Sequence, residues 1–205
     1  VDVASAKLLK VFGAGTSEHA ADLKEDGEYK PEATLLALRE PDGISVTADG
    51  RYLVTADEGD TDPKASKTKG GLPTGGSRSV SVFDAQSGEL VGDTGSQLDD
   101  MAAQAGIYPD DRSPNKGSEP EGVVAFEAFG KPLVVAALER ANGLALIDLS
   151  EPKQPKVVQV LPAGEGAADG DLAPEGLAHV EHEGRHYLVT GLEKSGSVAL
   201  FEVVE

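Results

Sequence analysis

The sequence predicts an all-β fold built from propeller blades of four antiparallel strands. Two observations carry that prediction. A short motif occurs three times, as Glu40-Pro41-Asp42-Gly43, Glu119-Pro120-Glu121-Gly122 and Ala173-Pro174-Glu175-Gly176. After each copy come an apolar run, a turn, a second apolar run and an acidic residue, in Asp57-Glu58-Gly59, Glu139-Arg140 and Glu193-Lys194. Internal repeats of this kind define architecture before any single element does, and four-stranded units at ~40–50 residues are the sequence pattern of a propeller.

The elements follow in order. The first copy gives strands at Ile44–Thr47, Tyr52–Thr55, Ser79–Asp84 and Glu89–Gly92, with a long insertion between the second and third. In the second copy, Val123–Phe126 and Leu133–Leu138 flank a turn at Gly130-Lys131-Pro132. Gly143–Leu149 and, after a Pro-punctuated loop, Val157–Leu161 complete that blade. The third copy gives Leu177–Val180, His186–Thr190 and Val198–Val203, one strand short. The organisation is a single propeller segment: an N-terminal strand and acidic loop over 1–40, blades at 41–92 and 119–162, a long loop at 93–118, and an incomplete blade at 173–205. Short helices are expected at Glu32–Leu38 and Leu98–Ala105. Three blades do not close a ring, since propellers need roughly four to eight. The expected partner is therefore a complementary propeller segment supplied by a separate chain.

Composition narrows the function. There are 36 acidic against 18 basic residues, giving a net charge of −18, with no Cys, no Trp and one Met. That balance argues against nucleic-acid backbones and anionic lipid and favours cations. Without Cys there is no thiol nucleophile and no thiolate metal site, so a metal would sit on oxygen or imidazole. No apolar stretch approaches ~20 residues, so no membrane span is expected.

Hairpin geometry turns the repeated acids into a candidate site. The residue before a first strand and the residue after its partner lie at the same end of the pair. Asp42 with Glu58, Glu121 with Glu139, and Glu175 with Glu193 should therefore gather at one mouth of the channel. The separation is 18 residues in the second and third copies and 16 in the first, where the turn is shorter. Carboxylates so clustered repel one another unless a cation joins them, and Ca²⁺, with six to eight oxygen ligands, is the expected cofactor, another divalent ion being the alternative. Asp57, Asp60 and Asp62 add ligand candidates. Taken copy by copy, Pro-Glu-Gly also reads as a tight turn in which Gly takes a positive φ and the carboxylate caps backbone N–H groups.

Arg112, Lys116, Arg140 and Arg78 flank the acids, and a metal with nearby cations is the arrangement that holds a phosphoryl group. Glu121, Arg112, Lys116 and Arg140 are thus the candidate catalytic residues, and a small phosphorylated molecule is the candidate substrate. Asp57-Glu58-Gly59-Asp60-Thr61-Asp62 lacks the glycine and terminal Glu of an EF-hand loop. His179, His182 and His186 lie near one strand and its turn, where alternation should send them to different surroundings, and they form no metal triad. No serine has nucleophile-elbow context, and the Gly70-Gly71 and Gly75-Gly76 doublets read as loop.

The stretch from Pro41 through Asp60, then Ser77–Asp84, then Asp111-Arg112-Ser113-Pro114-Asn115-Lys116-Gly117-Ser118-Glu119-Pro120-Glu121-Gly122, resembles the C-terminal half of the choice-of-anchor I family of bacterial extracellular propellers. The resemblance continues through Leu138-Glu139-Arg140, Asp148–Pro152, Ala173–Gly176 and Ser195–Val198. It implies a roughly seven-bladed, secreted or surface-anchored protein. Some members are called alkaline-phosphatase-like, and the Pro-Glu-Gly blades are similar to those of esterase-like phytases and calcium-dependent propeller phosphatases. Thr61-Asp62 stands where an Ala-Arg pair commonly follows the acidic run, which removes a phosphate-binding Arg expected there. Two functions follow from these readings: a calcium-dependent phosphoester hydrolase, or a non-catalytic cell-surface scaffold binding a protein partner.

Overall fold

A computed structural model describes residues 8–58, 76–164 and 173–205. Its strands are β1 (Thr16–Ala21), β2 (Ala33–Leu38), β3 (Pro41–Val46), β4 (Tyr52–Asp57), β5 (Ser79–Asp84), β6 (Leu90–Asp93), β7 (Pro120–Ala128), β8 (Lys131–Leu138), β9 (Gly143–Asp148), β10 (Lys156–Pro162), β11 (Pro174–His182), β12 (Arg185–Leu192) and β13 (Ser197–Val203). Helix α1 (Gln97–Gln104) lies between β6 and β7. The strands form antiparallel meanders in chain order: a four-stranded sheet β3–β6, a second β7–β10, a three-stranded sheet β11–β13, and the hairpin β1–β2. This is the predicted blade pattern, including the third copy's three strands.

The first strands β3, β7 and β11 are neighbours, and later strands step away from them. Alternation then decides which face meets which sheet. Val54, Ala56, Val80 and Val82 of the first sheet meet Val123, Val134, Ala136 and Leu138 of the second. Phe126, Ala128, Leu133, Val135 and Ala137, on the other face of the second sheet, meet Leu177 and Leu188 of the third. Packed on both faces, β8 reads as the unbroken run Leu133–Leu138, all of it buried. In β3 and β11 the pattern alternates instead, because their outer faces are uncovered by described residues. Ile44 is 64% and Val46 51% exposed on one outer face, and Val198 and Leu200 are 71% and 66% exposed on the other.

Each repeat motif opens its blade with the same distortion. Pro41, Pro120 and Pro174 pair with Asp57, Leu138 and Leu192, and regular pairing resumes at Ile44, Val123 and Leu177. The acid and the glycine between form a bulge, which bends the strand and re-aims the side chain. The glycine does not take the positive φ that a tight turn would require: Gly43, Gly122 and Gly176 all lie outside that region. Close approach requires it instead. A Cβ on Gly43 would lie 2.2 Å from the Glu121 carbonyl oxygen, and one on Gly122 would lie 1.8 Å from that of Glu175. Each copy's glycine therefore seats the backbone of the next copy's acid. Gly176, with no next copy beside it, has no described atom within 4 Å.

Two further expectations are corrected or met. Glu32–Leu38, read as a helix, is strand β2: Leu35 and Ala37 are buried while Leu36 is 49% exposed, an alternation of period two. Region 14–40 thus holds the β1–β2 hairpin rather than a bare acidic loop, and Arg39 at its end donates to Ser81 Oγ (2.9 Å) and pairs with Asp93. The helix expected at Leu98–Ala105 is α1, which buries Leu98 and Ala102 against the first core.

Gly122→Ala should cost about 1–3 kcal/mol of unfolding free energy in urea, because the extra methyl must push two sheets apart. Gly176→Ala should stay within about 0.5 kcal/mol of the parent chain. Equal costs would show that the glycines serve local backbone needs rather than sheet contact.

Candidate functional site

The bulges place the repeat acids in equivalent positions. Glu58 N–H donates to the Glu40 carbonyl (3.2 Å), Glu139 N–H to that of Glu119 (2.8 Å) and Glu193 N–H to that of Ala173 (2.9 Å). These three bonds fix each second acid beside the first acid of its own hairpin. The glycine contacts then set adjacent hairpins side by side. Carboxylate oxygens of Asp42, Glu58 and Glu121 lie within 4.8 Å of one another, as do those of Glu119, Glu121 and Glu139, and of Glu139, Glu175 and Glu193. A chain of carboxylates therefore crosses all three sheets. A shallow cleft of about 330 Å³ opens over Asp42, Gly43, Glu121, Gly122 and Glu175.

Electrostatics match this crowding. Burial first, then the hydrogen bond and charge of Glu139 and the charges of Glu119 and Glu175, push the Glu121 pKa well above the usual carboxylate range. Burial and Glu193 raise that of Glu175 as well.

Cations enter from one side. Arg78, with a fully buried side chain, lies 3.5 Å from Asp99 and donates to the carbonyls of Asp22 (3.1 Å) and Ser113 (2.8 Å). Asp99 in turn accepts from Ser118 N–H at 3.0 Å. This buried pair ties the 93–118 loop and the β1–β2 hairpin to the first sheet. The tied loop delivers Arg112 and Lys116. Lys116 Nζ bridges Glu58 and Glu119, Arg140 Nε donates to Glu119 (2.7 Å), and Arg112 lies 3.8 Å from the same carboxylate. Arg140 also reaches Glu139 at 2.6 Å, and Lys194 approaches that acid at 3.9 Å.

Glu119 is the residue that sequence reasoning missed. Its side chain is fully buried and collects three cations, yet its counterparts are Glu40 and Ala173, so repetition does not mark it. The available signal was its place three residues after Lys116. Asp57, expected among the mouth ligands, is set apart from it. Asp57 Oδ1 accepts from Thr55 Oγ1 (2.7 Å), and Oδ2 from Ser77, Ser79 and Ser81. Burial, partly offset by those hydroxyls, raises its pKa to about 6. Asp60 and Asp62 lie outside the described residues, as do Thr61 and the glycines at 70–71 and 75.

The histidines depart from expectation too. His182 is exposed, but His179 and His186 share the face turned toward the second sheet and are hydrogen-bonded, Nε2 to Nδ1, at 3.0 Å. The register pairs His186 with Glu181 and His179 with Leu188, so the two imidazoles are diagonal neighbours.

Residues 64–152 match the model of the choice-of-anchor I domain, the family whose motifs the sequence resembles. No curated protein matches the chain. Among solved structures, it is similar to one from Bacteroides uniformis ATCC 8492 named provisionally as a 6-phosphogluconolactonase, with 13% identity and a TM-score of 0.45. That likeness covers 93% of this chain and 51% of the other, so the chain spans about half the length of that structure.

Two outcomes are expected of the buried carboxylates. Glu119→Gln leaves Lys116 and Arg140 short of their shared partner and should cost about 3–5 kcal/mol in denaturant unfolding. For Asp57, whose folded pKa exceeds its unfolded value, the associated stability is complete below about pH 4 and is lost as pH rises through about 6. The loss is about 3 kcal/mol. Asp57→Asn should flatten the stability profile over that interval, and an unchanged profile would rule the cage out as its source.

Proposed function

We propose that the mouth formed by Asp42, Glu58, Glu121, Glu139, Glu175 and Glu193 binds Ca²⁺, and that the protein is a calcium-binding, propeller-type surface protein. One observation carries this reading: three repeats present carboxylates within 4.8 Å of one another, in overlapping triads, at equivalent bulges. A hard cation with flexible oxygen coordination would relieve the repulsion that raises the pKa values of Glu121 and Glu175. The match to the choice-of-anchor I domain supports an extracellular or surface setting in a bacterium, and no helix among the described residues is long and apolar enough to cross a membrane.

Phosphoester hydrolysis is the second reading, and Arg112 favours it. Among the described residues its buried Nε has no hydrogen-bond partner and its carboxylate contact is to Glu119 at 3.8 Å, which suits it to turn toward an anion over the mouth. In that mechanism calcium polarises the phosphoryl group and activates water, while Arg112, with Lys116 and Arg140, stabilises developing charge. Lys116 and Arg140 are already engaged with Glu119, which weighs toward calcium binding as the main role. The uncovered outer faces of the first and third sheets fit a complementary propeller segment from a separate chain. Gly176 is placed to seat an acidic residue's carbonyl on that segment, as Gly122 seats Glu175.

Calcium should raise the melting temperature reversibly, with chelator restoring the original value. Glu121→Gln should weaken calcium binding by about tenfold or more in calorimetry. No calcium effect on the parent chain would refute the calcium reading. Chelator-sensitive hydrolysis of p-nitrophenyl phosphate that is lost in Arg112→Ala would establish the hydrolase. Calcium binding without turnover would leave the scaffold role.

A further inference from the structure

We infer that His179 and His186 form a binding site for a borderline transition-metal ion of the Zn²⁺ class, separate from the acidic mouth and independent of the calcium reading. The two imidazoles already aim nitrogen at nitrogen, His179 Nε2 to His186 Nδ1 at 3.0 Å. Two nitrogens bound to one zinc at ~2.0–2.1 Å, with tetrahedral angles, lie about 3.3–3.4 Å apart. The pair is therefore within a few tenths of an ångström of the spacing a shared ion needs, and both lone pairs reach it by turning to one side of the line between them.

Both rings are held in place. Phe126 of β7 stacks on His179 with centroids 4.2 Å apart and planes at 13°. Phe129, in the β7–β8 turn, meets His186 edge-on at 5.4 Å. The imidazoles themselves are nearly parallel, 5.3 Å apart at 20°. Such packing fixes the rings before an ion arrives, so less side-chain freedom is lost on binding. Glu181 belongs to the same face of β11 and pairs directly with His186 in the strand register, while the two imidazole nitrogens are the ligands the site presents. The Glu181 charge is also felt at His179.

Chemistry separates this site from the mouth. Imidazole suits Zn²⁺, Cu²⁺ and Ni²⁺, whereas an all-carboxylate set suits Ca²⁺. Position separates them too. The mouth lies where β11 begins at Pro174, and His179 and His186 lie toward the opposite end of the β11–β12 hairpin, near its Glu183-Gly184 turn. In the metal-free pair one ring donates its N–H to the other. On binding, that proton moves to the other nitrogen of the donating ring, leaving both facing nitrogens as ligands. Binding is thus proton-neutral while both rings are neutral, and it weakens in acid as protons compete for the same lone pairs. An ion there would cross-link β11 to β12 beside the Phe126 face of the second sheet.

The test is calorimetric titration of the untagged chain with ZnCl₂ in excess Ca²⁺, so that oxygen ligands are already occupied. One Zn²⁺ per chain is expected, with binding at least about tenfold weaker in His179→Gln and in His186→Gln, and unchanged in His182→Gln. Absence of zinc binding to the parent chain, or equal binding by the His179→Gln/His186→Gln double variant, would overturn the inference. If the variants unfold, imidazole ¹⁵N shifts of the parent chain decide. Zinc must move the His179 and His186 resonances and leave that of His19 in place; the reverse pattern overturns the assignment. Loss of the calcium effect with zinc binding intact would count against the mouth alone.

Discussion

Everything at the mouth depends on how closely adjacent sheets approach along their first strands. Gly43 and Gly122 have no Cβ, so the carbonyls of Glu121 and Glu175 can lie where a methyl group would otherwise stand. That contact, between backbone and backbone, sets the spacing between hairpins. Bulges then turn the acids toward the space so defined, and the spacing makes them neighbours. Carboxylate repulsion is the cost of this arrangement, and interior packing supports it. The second sheet is buried on both faces by apolar clusters that include Val134, Val135, Ala136 and Ala137. Apolar burial of this extent outweighs charge crowding at one edge.

The cations are arranged unevenly. Arg112 and Lys116 arrive on a loop anchored by Arg78 and Asp99, and together with Arg140 they converge on Glu119, between the first and second sheets. At the junction of the second and third sheets, Arg140 reaches Glu139 and Lys194 approaches it from 3.9 Å. The acidic triads are therefore alike in geometry but unequal in field. Buried ion pairs of the Glu119 kind are retained at considerable desolvation cost, and here they hold the loop's charged residues in register with the mouth.

Much of this was legible in the sequence because it repeats. Three copies of one motif with matched acids determine strand order, the short third sheet and the gathering of Asp42, Glu58, Glu121, Glu139, Glu175 and Glu193. What lay outside the repeat was harder to read. Glu119 has Ala173 as a counterpart, so comparison between copies conceals it. The β2 segment Ala33–Leu38 is short enough to read as either helix or strand until its partner β1 is known. His179 and His186 meet on a diagonal set by a two-residue turn, and linear alternation alone does not single out that pair. Asp57 is adjacent to Glu58, yet one step along a strand reverses direction and sends it into the Thr55, Ser77, Ser79 and Ser81 hydroxyls.

The glycine contact also bears on how copies of one motif come to differ. Because Gly43 and Gly122 come closest to their neighbour's main chain, the residues flanking them are released from the task of assembly. Position one of the motif is Glu, Glu or Ala, and position three is Asp or Glu, without altering how the sheets meet. A joint blind to the flanking side chains leaves position one open to a residue that gathers cations, as Glu119 does, or to a plain one, as Ala173 is.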